Sequence, residues 1–176
     1  MTKEAVVDLE MVDIIDEDFN ILYQMLKTEA HEKGELHGTV IAGLKNTQGK
    51  RALVRQADHM QDRGQFVNPM GGHISAGESW EGTLFREALE ELGIEGFEYK
   101  LLGKGIYNRQ TRGKQENHYF IVYDILHDGD ITLGNESVEL RWFDEDELRA
   151  EIKNSPDNFG AAYHFVLNNF YPELLS

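Results

Sequence analysis

The chain has 176 residues, no cysteine, a formal net charge of −15 and 40% apolar side chains. Such a length suits one domain with its own core, and the apolar fraction is that of a soluble globular protein. The charge excludes a broad nucleic-acid or anionic-membrane surface, which would need clustered Lys and Arg, and the missing thiol excludes disulfides, thiolate metal sites and cysteine nucleophiles.

Along the chain, "VVDLEMVDIIDEDFNILYQM" places apolar stretches on either side of the turn-rich "DEDFN" and predicts an N-terminal β-hairpin. "TEAHEKG" predicts a short helix with Thr28 as N-cap and Gly34 as its stop. "LHGTVIAGL" and "RALVRQA" read as strands separated by the turn "KNTQGK", and "QFVNPMGG" as a short extended piece. After a central helix, "FEYKLLGKGIY", "NHYFIVYDIL" and "SVELRWF" are rich in β-branched and aromatic residues and read as strands. Two helices close the chain, "DEDELRAEI" and the amphipathic "GAAYHFVLNNFYPELL". No repeat or linker divides it. We expect one domain over 1–176, with a hairpin and short helix over 1–36 and the core over 37–176. Strands on both sides of a central helix predict a mixed β-sheet covered by helices, an α/β (α+β) arrangement. A doubly wound parallel fold is disfavoured, because helices and strands do not alternate regularly.

No run approaches the roughly 18 apolar residues that span a bilayer. The opening "MTKEAVVDLE" lacks the apolar segment of a secretion signal. A cytoplasmic protein without membrane contact is the expectation.

The central helix carries the chemistry. Ser79 is its N-cap and Gly93 its stop. At about 100° per residue, Phe85, Ala88, Leu89 and Leu92 share one stripe, which predicts the buried face. Glu87, Glu90 and Glu91 fall on the opposite side, with Arg86 at the flank. A solvated face is the ordinary reading of such glutamates, since Glu favours helices. Against it, Glu87 and Glu91 are a like-charge i,i+4 pair costing a few tenths of a kcal/mol, placed where the helix dipole disfavours anions. A divalent cation would turn that repulsion into a binding site. Mg²⁺ takes hard oxygens and substrate phosphates, and a carbonyl of the preceding glycine-rich loop would add a ligand.

The segment also resembles the Nudix (MutT-like) box: Gly, five residues, Glu, seven residues, Arg-Glu, an aliphatic, any residue, Glu-Glu, any residue, Gly, an aliphatic. The matches are Gly72, Glu78, Arg86, Glu87, Ala88, Glu90, Glu91, Gly93 and Ile94. At average composition its fixed positions would coincide about once in 10⁸ starts. Ala88 is smaller than the usual aliphatic. The resemblance implies a Nudix-type α/β/α sandwich with a mixed sheet, and hydrolysis of a diphosphate linked to another moiety with Mg²⁺ or Mn²⁺. It makes Glu90 and Glu91 core metal ligands beside the Gly72 carbonyl, and Glu87 a further ligand or the base. Arg86 paired with Glu78 would hold loop and helix in register.

Residues 10–75 resemble more loosely the Nudix branch related to isopentenyl-diphosphate isomerase. Those isomerases protonate an alkene with a cysteine just before their box. Met70 and Gly71 stand nearest here, and a thioether cannot carry that proton. Hydrolases sharing this N-terminal architecture are the better match.

Outside the box, Glu116 is the first choice for an added metal carboxylate, with Glu136 and Glu139 competing. Each is weighed against an ordinary surface glutamate. Arg55, Arg109, Arg63 and Arg112 are candidate phosphate clamps, Arg55 favoured because it ends a strand. His73, directly after Gly72, is a candidate substrate contact, and His37 is a second. Tyr107, Tyr119, Trp142 and Phe143 offer stacking surfaces but sit in strands, where aromatics are usually core. The expected partner is a small-molecule diphosphate, with a homodimer admissible through the C-terminal "YHFVLNNFY" stripe. The alternatives are isomerase-type activity and a nucleotide-binding module without turnover.

Overall fold

The computed structural model describes residues 9–111 and 113–176. Strands β1 (Met11–Ile15) and β2 (Ile21–Leu26) form the N-terminal hairpin, turned where the Asp16 carboxylate accepts the backbone N–H groups of Asp18 and Asn20. Helix α1 (Lys27–Lys33) follows and stops at Gly34. Thr28 does not cap it. Strand β2 runs straight into the helix, so the extended Leu26 holds the cap position without a side-chain acceptor.

The spine of the sheet is β3 (His37–Lys45). Along one edge it pairs in parallel with β8 (Lys114–Leu126), from His37↔His118 to Lys45↔Leu126. Its other edge is shared by three antiparallel neighbours. These are β1 through Ile14↔His37, β6 (Met70–His73) through Thr39↔His73, and β4 (Arg51–Gln56) through Leu44↔Ala52. Strand β4 also pairs antiparallel with the short β5 (Phe66–Val67) and with β9 (Ser137–Phe143). Strand β7 (Glu98–Thr111) pairs antiparallel with β8. One parallel pair among antiparallel ones makes the sheet mixed.

The period-two alternation of β8 builds the layers. Phe120 and Val122 enter one core with Leu148 and Ile152 of α3 (Glu145–Asn154) and Tyr163, Val166 and Leu167 of α4 (Ala161–Phe170). Ile121, Tyr123 and Ile125 enter the other core with Leu84, Ala88 and Leu92 of α2 (Trp80–Leu92). The result is the expected α/β/α sandwich with its N-terminal hairpin. Of the C-terminal stripe, Tyr163, Val166, Leu167 and Tyr171 are buried in the first of these cores, with Phe165 and Phe170 packed partly buried against it. At its end, Tyr171 donates its hydroxyl to Asp124 and lies under the Arg51 guanidinium, 4.2 Å from ring centre to carbon. Among the described residues, no helix is long and apolar enough to cross a membrane.

Helix α2 has the expected ends, with the Ser79 hydroxyl accepting from Gly82 N at 3.0 Å and Gly93 at φ 64°. Its buried face differs from the predicted stripe. Leu84, Ala88, Leu92 and Thr83 are fully buried and Glu87 nearly so, whereas Phe85 and Leu89 are 45% and 51% exposed. The helix is rolled because its Glu87 side turns toward the sheet. Phe85 instead meets the rings of Phe97 and Tyr99 on the surface, each at 5.5 Å.

Candidate active site

The loop between β6 and α2 is pinned by Arg86. Its guanidinium donates to both oxygens of Glu78 (3.0 and 2.9 Å), to Glu87 Oε1 (2.6 Å) and to the His73 carbonyl (3.0 Å). Glu78 also accepts from Ser75 N and Thr83 Oγ1. These bonds, the Arg86 ones foremost, hold its carboxyl below the usual range. Glu87 lies directly over Gly72. A Cβ at that position would stand 1.8 Å from Glu87 Oε1, so only glycine lets the carboxylate reach the β6 backbone.

Glu91 faces a second carboxylate from outside the helix. Gly134 N donates to Glu91 O at 2.8 Å, and Glu136 O accepts from Ala57 N at 2.8 Å, so the segment before β9 lies across the end of α2. Burial first, and then the hydrogen-bonded Glu136 carboxylate, raises the Glu91 pKa well above the usual carboxylate range. Burial also raises that of Glu87, opposed by Arg86. Glu90 is more exposed, 3.6 Å from Arg86. Glu87, Glu90, Glu91 and Glu136 all line one cavity of about 770 Å³.

The other candidates divide. Glu116 lines the same cavity, but Arg109 Nε holds it at 2.8 Å while Arg109 Nη1 binds Asp62 at 2.6 Å. Arg109 is therefore on the cavity wall with both its charge and its fork engaged. Arg55 is not among the cavity residues. It donates to Glu139 (2.7 Å) and the Gly64 carbonyl (2.6 Å) and stacks on Phe66, because its place on β4 faces β9 across the register Arg55↔Glu139. That contact also occupies Glu139. Arg63 is exposed, and Arg112 lies outside the described residues. Tyr107 and Phe143 are buried in the core, while Tyr119 and Trp142 pack partly buried against it.

His73 belongs to a cluster with His31, His37 and His118. Its Nε2 is 3.3 Å from His31 Nε2, which is 3.1 Å from His118 Nε2. Burial, and then the neighbouring rings, push the pKa values of His73 and His118 well below the ordinary value, and burial lowers that of His37. Sequence reasoning passed over His31, His118 and Asp62. The two histidines are lone residues in a helix and a distant strand, and the packing of α1 against β8 brings them together.

The matching family model is described as NUDIX domain and covers residues 35–163. An isopentenyl-diphosphate Δ-isomerase of Aliivibrio fischeri (strain MJ11) is 26% identical over 167 residues, covering 89% of this chain and 92% of that protein. An uncharacterised Nudix hydrolase of Streptomyces coelicolor is 27% identical over 146 residues, covering 81% and 79%. A crystal structure from Deinococcus radiodurans superposes with a TM-score of 0.73 at 22% identity, covering 92% of this chain and 99% of that one. The NUDIX domain of Shewanella oneidensis NrtR, complexed with ADP-ribose, does so with a TM-score of 0.58 at 20% identity, covering 79% and 88%. With its box intact and its α/β/α sandwich shared with those structures, the chain belongs to the NUDIX domain family, as a Nudix hydrolase of MutT-like fold.

Proposed function

We propose that this chain hydrolyses a phosphoanhydride bond in a nucleoside diphosphate linked to another moiety, or in a related diphosphate. The observation that carries the reading is the convergence of carboxylates from two separate elements, Glu87, Glu90 and Glu91 of α2 and Glu136 before β9, on one cavity. Two of them, Glu91 and Glu136, are pressed together. Such a set is costly without a counter-charge and suits a hard divalent ion. Nudix hydrolases generally use divalent metals such as Mg²⁺. Here Glu87, Glu90, Glu91, Glu136 and the Gly72 carbonyl would hold Mg²⁺ or Mn²⁺. When bound, the ion supplies charge neutralisation at the phosphate oxygens and a lowered pKa for water.

The rest is done by the chain's own residues. Arg86 positions Glu87 by gripping it together with Glu78 and the His73 carbonyl, which fixes the box loop against the helix. Glu87, buried and held over Gly72, is placed to accept a proton from the attacking water. Arg109 bridges Asp62 and Glu116 on the cavity wall. In this reading Glu136 takes the place that the sequence assigned to Glu116, because Arg109 already occupies Glu116. His73 borders the cavity beside Gly72, and Arg55 has no part in the site. The reading takes the chain as one catalytic unit acting in the cytoplasm on small molecules, and the ADP-ribose bound by the Shewanella protein is consistent with that substrate class.

The test is release of phosphate or nucleotide from nucleoside diphosphates, sugar-linked diphosphates and dinucleotides, with and without Mg²⁺. Mg²⁺-dependent turnover on at least one class is expected. Folded protein with no turnover on any of them sinks the proposal. The isomerase likeness over 89% of the chain raises a second reading, proton transfer to an isoprenoid diphosphate. Met70 and Gly71 stand where the thiol would be needed, and the chain has no cysteine. Solvent deuterium should therefore not enter isopentenyl diphosphate.

A further inference from the structure

Four of the exposed large apolar side chains lie together on one flank of the molecule, between α2 and the start of β7. Phe85 and Leu89 come from the exposed side of α2, one turn apart, and Tyr99 and Leu101, each 43% exposed, from alternate positions of β7. The Phe85 ring joins the two rows, 5.5 Å from the rings of Phe97 and Tyr99. At about 150–250 Å² for a large side chain, the four half-exposed groups offer roughly 300–500 Å², a size at which such patches are often functional. The strand beside them is an edge. Among the described residues β7 pairs with β8 alone, and Glu98, Tyr99, Lys100 and Leu101 are all exposed. Natural sheet edges are blunted by charge, proline or bulges. Here Gly96, at φ 67°, and the register shift between Leu101 and Gly103 bound the stretch 97–101, whose free edge carries one anion and one cation.

We infer that this edge is where two copies of the chain pair, antiparallel about a two-fold axis at Tyr99, so that their sheets join and the apolar flanks of both α2 helices share one face. The charges choose the occupant. A two-fold axis through the middle of 97–101 sets Tyr99 opposite Tyr99, Phe97 opposite Leu101, and Glu98 of each copy opposite Lys100 of the other. Both charged pairs then have opposite signs and lie on one face, and the apolar pairs lie on the other. Among the described residues, neither Glu98 nor Lys100 has an ion-pair partner within the chain. A second copy satisfies both by symmetry. Elsewhere the net charge of −15 makes like surfaces repel, so self-association needs a locally neutral edge of this kind. A standard interface takes about 800 Å² from each partner. The apolar patch falls short of that, while the strand edge with Phe97, Glu98 and Lys100 is covered at the same time, which places the dimer among weak, reversible ones. The C-terminal stripe is buried in the core and has no part in it. Glu87, Glu90 and Glu91 line the cavity from the other flank of α2, so pairing does not cover them.

The test needs no substrate, so its outcome is independent of the hydrolase reading. Full-length protein at about 0.15 M salt, which screens repulsion between the two copies, is followed by sedimentation equilibrium from about 1 μM to 1 mM. A monomer–dimer equilibrium with a micromolar midpoint is expected. Glu98→Lys and Lys100→Glu should each weaken it about tenfold or more, because each sets like charges opposite one another at both ends of the stretch. The Glu98→Lys/Lys100→Glu double variant restores opposite signs and should recover wild-type association. Because the chain has no cysteine, Tyr99→Cys places its one thiol beside the two-fold axis. Directly opposite residues of an antiparallel pair lie about 4.5–5.5 Å apart, within reach of a disulfide. Mild oxidation should therefore link two copies of that variant, and Ile21→Cys, on the exposed β2, should stay unlinked over the same time. All these positions are exposed, and circular dichroism confirms that each variant is folded. A monomer at every concentration, a double variant no better than the single ones, or linking at Ile21 as fast as at Tyr99 would overturn the inference.

Discussion

Glu116, which the sequence puts first for the added carboxylate, and its competitors Glu136 and Glu139 are reordered by their neighbours. Arg109 holds Glu116 and Arg55 holds Glu139, whereas Glu136 abuts Glu91. Glu136→Gln should therefore lower turnover at least about tenfold, equivalent to roughly 1.4 kcal/mol in the barrier, and Glu139→Gln should leave it within about twofold. Steady-state kinetics on whichever substrate the panel identifies will decide, and equal effects would remove Glu136 from the site. Glu78 gives a pH signature. Its folded pKa lies below the unfolded 4.5 because of Arg86, so its stabilisation is present above pH 4.5 and is lost as pH falls below it. Thermal midpoints measured from pH 6 down to 3 should fall more steeply for the wild type than for Glu78→Gln. Parallel curves would show that the Glu78–Arg86 contact contributes nothing to acid sensitivity.

The roll of α2 shows how far a helix pattern reaches. Its caps were legible because Ser79 and Gly93 act locally, and the hydrophobic period was present. However, Phe85 and Leu84 are neighbours, and either could centre an apolar stripe. The choice fell to Glu87, whose carboxylate must reach Gly72 and so turns its flank inward at the expense of Phe85 and Leu89. Leu84→Ala should accordingly cost about 2–5 kcal/mol as a core cavity. Leu89→Ala, on the exposed side, should cost less than about 1 kcal/mol. Chemical denaturation of the two variants tests this, and a larger loss for Leu89→Ala would restore the stripe read from periodicity.

At the level of the assembled chain, a net charge of −15 meets a site that crowds its own carboxylates. Screening by salt and occupation by metal should both stabilise it, and they can be told apart. Mg²⁺ should raise the thermal midpoint more than KCl at matched ionic strength, because a ligand that binds only the folded state stabilises it by mass action. The difference should vanish in the Glu90→Gln/Glu91→Gln variant. Identical curves for Mg²⁺ and KCl would leave the acidic helix as an ordinary charged surface.

The box, the caps of α2, the hairpin and most strands could be read from the chain alone, because each depends on residues close together in sequence and on local backbone and periodic rules. The mixed sheet with helices on both faces followed from the order of those elements. The partners of Arg55, Arg109 and Glu116, the approach of Glu136 to Glu91 and the meeting of four histidines could not be read that way. Arg109 and Glu116 meet across the β7–β8 hairpin, beyond the strand ends read from the sequence. The others join residues tens of positions apart, which the β3–β8 and β4–β9 registers, the seating of α1 against β8 and the packing of the segment before β9 against α2 bring within bonding distance.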